Sequence, residues 1–263
     1  MSQPAFAAQE PLPFELVYED GKPLESFWHE LQQSLLRHVI RQLMLAQGRT
    51  DFFTGNNMFV YYSVEQAREV WEEETKGLPE RAFRGPDVLW VGGVPDPDRK
   101  RKCWISWEEG GRLPDVIVEL LSPSMKKKDR TEKKDLYARV FRTAEYFLVD
   151  PGTRELEGWR LVDHSYRPIP PDGQGRLWSG QLGGFLGVWQ GDYEGSRDQW
   201  ARLFQPDGTL VPTEAEAAVQ KVEAESRRAE AERQRADAER QRADAAESEL
   251  ARLRAALEAQ SRH

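Results

Sequence analysis

The chain has 263 residues, with 37 Lys and Arg against 45 Asp and Glu, a net charge of −8, and one cysteine. That length admits one sizeable domain plus an appendage, or two small domains. The acidic balance excludes a protein that grips nucleic acid with its whole surface, and the lone Cys103 excludes an internal disulfide and a cysteine-built zinc site, so any metal is expected to be a hard, oxygen-bound ion. No run of about 18 apolar residues occurs. The start, MSQPAFAAQEPLPFE, lacks the basic and apolar regions of a signal peptide, so the expectation is a cytoplasmic protein with no membrane span.

Residues 1–24, with Pro4, Pro11, Pro13 and Pro23, read as an irregular lead-in. From Glu25 to Ala46 the apolar residues Trp28, Leu31, Leu35, Val39 and Leu43 recur at three and four, predicting an amphipathic first helix that Gly48 stops. Met58 to Ser63, rich in aromatic and β-branched residues, predicts a strand. Glu65 to Glu74 reads either as a short acidic helix or as an exposed charged loop. Next, Pro86-Asp87 introduces the short apolar run Val88 to Val91, a buried strand with Asp87 at its entrance. Lys102 to Trp107 and the turn at Glu109-Gly110-Gly111 suggest an inserted hairpin.

Val116 to Leu121 is apolar on both faces, as a strand covered on both sides should be, apart from Glu119 at its centre. Burying a charge costs several kcal/mol unless it is paired or bound to a metal, so Glu119 demands a reason. Alternation places Asp115 on the same face. Asp129, three residues before Glu132, fits a cap for a helix from Arg130 to Arg142, with Lys133 in its first turn and Tyr137 four residues on. Lysine is electrostatically unwelcome in a first turn, which favours an external reason for it. Lys126, Lys127, Lys128, Arg130, Lys133 and Lys134 form one basic cluster and Arg99 to Lys102 another; the bland reading of each is a solvated loop.

Strands are predicted at Glu145 to Asp150, Leu156 to Leu161 and Ser165 to Ile169, and Leu177 to Trp189 continues the β-rich pattern. The composition changes at Pro212. Residues 213–263 hold no Gly or Pro and carry two identical heptads, AERQRAD, from Ala231 and from Ala238, predicting a long helix. Val222, Ala229, Ala236, Ala243, Leu250 and Leu257 repeat at seven, but Glu225, Glu232 and Glu239 occupy the companion positions, so a coiled coil that joins copies of the chain and a solvated single helix both fit.

Asp87, Glu119 and Lys133 can converge if their strands are neighbours. Two carboxylates without cysteine make a site for Mg²⁺ or Mn²⁺, which generates hydroxide and stabilises charge on a phosphate, while a lysine orients water or balances that charge. The structural alternative makes Asp87 a turn residue and Glu119–Lys133 a buried ion pair.

The ordered segments PDVLWV, WEEG, LPDVIVELLSPS, DRTEKKDLYARV and AEYFLVDP resemble the Uma-type restriction endonucleases, a bacterial family within the PD-(D/E)XK nuclease superfamily, over roughly Asp20 to Gln190. The resemblance implies an α/β fold, a restriction-endonuclease-like mixed sheet flanked by helices over residues 25–212, and a Mg²⁺- or Mn²⁺-dependent endonuclease acting on DNA. It makes Asp87 and Glu119 the metal-binding acids and the Leu120 backbone carbonyl a further ligand. The superfamily's lysine, two residues after the acid, is here Leu121, and Lys133 stands where the family pattern supplies it from the next helix. Asp115 and Tyr137 are additional candidates, and Lys126, Lys127, Lys128 and Arg130 are candidates for contacting nucleic acid. The competing class is a catalytically inactive nuclease-like scaffold that assembles through residues 213–263.

Overall fold

Two apolar faces on the same three strands set the architecture. In the computed structural model, which describes residues 12–18, 26–79, 82–122 and 126–260, the elements run α1 (Phe27–Ala46), β1 (Phe52–Asn56), β2 (Val60–Tyr61), α2 (Val64–Lys76), β3 (Val88–Gly92), β4 (Trp104–Ile105), β5 (Val116–Leu120), a helix α3 over residues 126–141, β6 (Glu145–Val149), β7 (Leu156–Val162), β8 (Ser165–Pro168), β9 (Leu177–Ser179), β10 (Gly184–Tyr193), β11 (Ser196–Phe204) and α4 (Glu214–Gln260). Six strands form one sheet in the order β1-β3-β5-β6-β7-β8. Its β5 and β6 are parallel and its other pairs antiparallel, which makes it mixed, as expected. β9, β10 and β11 form an antiparallel sheet of their own.

Val88, Trp90, Val116, Val118 and Leu120 share one core with Leu35, Leu36, Val39, Ile40 and Leu43 of α1. On the opposite face, Leu89, Val91, Ile117 and Leu121 pack with Tyr137 and Phe141 of α3. Each such side chain contributes roughly 1.5–3 kcal/mol by leaving water. A slip of one residue would exchange the two faces, so this burial fixes the register and with it the side of the sheet to which Glu119 turns.

α1 starts where Ser26 accepts a hydrogen bond from the His29 N–H at 3.3 Å. The charged run after it is a helix, α2, capped by Ser63 and closed by Gly77 at φ 62°. Three expectations are corrected. The strand expected over residues 58–63 is only Val60–Tyr61. No hairpin forms from Lys102 to Trp107; Trp104–Ile105 instead pairs in parallel with Val60–Tyr61. Here the buried Trp104 indole donates to the Arg112 carbonyl at 2.8 Å, and buried Glu109 draws Arg101 inward and pairs with the exposed Arg99, so the loop closes on itself. Third, α3 is already wound at Lys126–Lys128, so Asp129 is not its cap and Lys133 lies in its interior.

Of the lead-in, residues 12–18 are irregular, and the Tyr61 hydroxyl donates to the Val17 carbonyl at 2.6 Å; residues 1–11 and 19–24 lie outside the described residues, as do Pro123 and Ser124. The chain divides into two compact units, Met1–Thr213 and Glu214–His263. Within the second, α4 is a helix of 47 residues whose Val219, Val222, Leu250 and Leu253 are exposed. Among the described residues no helix is long and apolar enough to cross a membrane.

Candidate active site

β5 carries Glu119 toward α3, where it is 1% exposed. The antiparallel register of β3 and β5 pairs Val88 with Val118, and continuing it by one residue sets Asp87 opposite Glu119. Two carboxylates therefore meet at one end of the sheet. Asp87 is held from two directions: its Oδ2 accepts from the Leu120 backbone N–H at 2.7 Å, and its Oδ1 from the Gln33 side-chain amide of α1 at 3.0 Å.

α3 closes the other side. Lys133 Nζ donates to Glu119 Oε2 at 3.0 Å and to Asp129 Oδ1 at 2.8 Å, and the Tyr137 hydroxyl donates to Glu119 Oε1 at 2.5 Å. Residues four apart drift about 40° per step around an ordinary α-helix, which would turn such a series out of the site. α3 avoids this with π-wound turns at Asp129–Lys133 and Tyr137–Phe141, whose wider winding keeps Asp129, Lys133, Tyr137 and Phe141 in line. Behind them Phe83 packs edge-on against Tyr137, and the Tyr146 hydroxyl donates to the Asp129 carbonyl at 3.0 Å.

The electrostatics follow from crowding. Burial, reinforced by the charge of Asp87 and opposed by Lys133 and Tyr137, pushes Glu119 up to about 7. Burial also raises Asp87, against the pull of Lys133 and the Leu120 N–H. Burial works against the charge of Lys133, but Glu119, Asp129 and Asp87 outweigh it and hold the ammonium above the ordinary lysine value. Tyr137 is driven well above its usual range by burial and by Glu119. Near neutral pH, then, Lys133 is a fixed cation, Tyr137 a fixed donor, and Glu119 is the group able to change charge.

The structure thus brings Asp87, Glu119, Lys133 and Tyr137 together, and Leu120 joins them through its N–H. Asp115 is elsewhere: it lies four residues back along β5, about 13 Å at strand rise, and its carboxylate accepts from the Gly92 N–H at 2.8 Å. Among the basic residues, Lys126 pairs with Asp150 at 2.8 Å, Arg130 donates through Nε to Glu157 at 3.0 Å, and Lys127 is exposed. Sequence reasoning missed Gln33 and the inward role of Asp129. For Gln33 a signal existed, since it sits at three and seven residues from Leu36 and Ile40, both buried, where a polar side chain is out of place.

The donor set fits a hard divalent cation. Three carboxylates surround one ammonium, leaving negative charge that a cation would relieve, and the donors are oxygens. The buried Gln33 Oε1, beside Asp87, has no donor. Among the described residues no three His, Cys, Asp or Glu converge to hold a metal by themselves, so neutral oxygens have to complete such a site.

A family model, Uma2, described as "Putative restriction endonuclease", matches residues 12–189. Among solved structures, the chain is similar to a putative nuclease belonging to DUF820 from Anabaena variabilis ATCC 29413, at 14% identity and a TM-score of 0.42, over 63% of this chain and 81% of that one. No curated protein matches.

Proposed function

The chain belongs to the Uma2 family of putative restriction endonucleases, and we propose that it is a Mg²⁺- or Mn²⁺-dependent DNA endonuclease that works through Asp87, Glu119 and Lys133. The observation that carries this reading is the 3.0 Å contact of Lys133 with Glu119 beside Asp87. The lysine that the strand lacks at Leu121 arrives from α3.

Asp87 and Glu119, with the Leu120 carbonyl, would hold the cation, which when bound would acidify a water and stabilise charge on the scissile phosphate. Lys133 keeps its proton and orients the attacking water or balances phosphoryl charge, while Asp129 anchors its ammonium from below. Tyr137 fixes the Glu119 carboxylate through its hydroxyl. Lys126, Lys127, Lys128 and Arg130, on the first turns of α3, would take phosphates of the DNA backbone.

Cleavage of supercoiled plasmid with Mg²⁺ or Mn²⁺ tests the proposal. The wild-type chain should nick or linearise the DNA, and Glu119→Gln and Lys133→Met should each slow it by at least about 10²-fold with an unchanged circular-dichroism spectrum. Undiminished cleavage by Glu119→Gln, or no cleavage by the wild type on any DNA form, would overturn it.

The exposed Val219, Val222, Leu250 and Leu253 support a second reading, in which α4 joins copies of the chain. Light scattering should then give a multiple of the chain mass that falls to one chain in Val222→Glu/Leu250→Glu/Leu253→Glu. A wild-type monomer sinks that reading.

A further inference from the structure

α1 carries two adjacent buried glutamines, Gln32 and Gln33, both 0% exposed, and their surroundings differ. Gln32 is satisfied at both ends of its amide: its nitrogen donates to the Ala201 carbonyl at 2.9 Å, and its oxygen accepts from the Ala201 N–H at 2.8 Å. It ties α1 to β11 as a strand partner would, and that role is structural. Gln33 is satisfied at one end only. Its nitrogen donates to Asp87 Oδ1 at 3.0 Å, while its buried oxygen meets no donor.

Turning the amide over does not remove the anomaly. Asp87 already accepts at Oδ2 from the Leu120 N–H. An Asp87 that holds a cation is ionised and accepts at Oδ1 as well, which fixes the Gln33 NH₂ on that atom and leaves the carbonyl oxygen as the spare group. A buried carbonyl without a donor costs about 1–3 kcal/mol, and such a group in a native protein calls for a bound ion or water to explain it. The carboxylates next to it provide the ion. Asp129 is turned to Lys133, and among the described residues no three His, Cys, Asp or Glu converge to hold a metal, so a cation held by Asp87 and Glu119 is short of protein ligands, and hard cations accept amide carbonyl oxygens readily.

We propose that Gln33 is the third protein group of the cation site, its amide nitrogen setting the Asp87 carboxylate and its amide oxygen facing the cation or a water bound to it. The inference rests on the metal-dependent reading above and extends it to α1. One side chain thereby links the core beneath the sheet to the chemistry at its end, so the position of α1 sets the geometry of Asp87.

Titration of the full-length protein with Mn²⁺ alone, followed by electron paramagnetic resonance of the free ion, tests this without recourse to activity. Gln33→Met, which keeps the volume and removes both polar atoms, should weaken Mn²⁺ binding about 10-fold or more. Gln33→Glu, which places a charged oxygen where the spare one stands, should bind Mn²⁺ at least as tightly as the wild type. If Gln33→Met fails to fold, Gln33→Glu decides. Unchanged affinity in Gln33→Met, or weaker binding in a folded Gln33→Glu, overturns the proposal. If the wild type binds Mn²⁺ and Glu119→Gln abolishes binding while Gln33→Met does not alter it, Gln33 alone loses its role. A wild type that binds no Mn²⁺ removes this proposal and the metal-dependent reading together.

Discussion

Neighbouring strands of the main sheet each bury a glutamate to 1% exposure, Glu119 on β5 and Glu145 on β6, and the two are buried for opposite reasons. Around Glu145 the protein has gathered donors: the Ser179 hydroxyl, the Gly180 N–H at 2.8 Å, the Gln181 N–H at 3.3 Å and Arg160 Nε at 3.0 Å. These tie β6 to β7 and to the turn after β9. Around Glu119 the donors are two, Lys133 and Tyr137, and a second acid, Asp87, stands opposite. Burial of a carboxylate therefore does not by itself mark chemistry. A second acid held beside it does, because Asp87 disfavours the charge of Glu119 while their carboxyls share a hydrogen bond, which leaves a pair able to change charge.

Isosteric amides break the comparison most sharply. Glu119→Gln keeps its carbonyl oxygen for Lys133, turns its NH₂ toward the Tyr137 hydroxyl, which can accept, and removes the repulsion with Asp87, so it should change unfolding free energy by less than about 1 kcal/mol while lowering plasmid cleavage at least about 10²-fold. Glu145→Gln turns an NH₂ either toward the Gln181 N–H or toward the Gly180 N–H and Arg160, none of which can accept, and should cost at least about 1–3 kcal/mol while its folded fraction cleaves at the wild-type rate. Urea unfolding and cleavage on the same preparations read both halves. Equal loss of stability in the two variants would erase the distinction.

The same contrast explains what the sequence made legible. Glu119 stands out as a lone charge inside VIVEL, and the family resemblance points to Lys133 on the helix that follows, four residues before Tyr137; both signals are local. Glu145 opens its strand, and its donors come from residues 160 and 179–181, so nothing near it announced a buried acid. The pairing of β4 with β2 is likewise non-local, joining Trp104 to Val60 across more of the chain than a turn pattern spans. Asp129 is ambiguous in the sequence for another reason. A cap and an interior acid look alike in sequence, and the choice depends on α3 having begun by Lys126. The periodicity of α1 was plain from its leucines and valines, yet Gln33 acquires meaning only once β3 brings Asp87 to it.

A smaller effect separates the two glutamates by pH. Glu119 holds its proton up to about 7 in the fold, against an ordinary value of 4.5, because burial and Asp87 disfavour its charge. The folded chain thus binds that proton more tightly than the unfolded chain does. The resulting stability is complete below the ordinary value and is lost as pH rises through about 7. In metal-free buffer, urea unfolding between pH 5 and 8 should show wild-type stability falling by about 2–3 kcal/mol. The fall should persist in Glu145→Gln and flatten in Glu119→Gln. Added Mn²⁺ should oppose it, since the cation favours the ionised carboxylate that the fold by itself resists. A slope that survives in Glu119→Gln would place the tightly held proton on another group and leave Glu119 as ordinary a buried acid as Glu145.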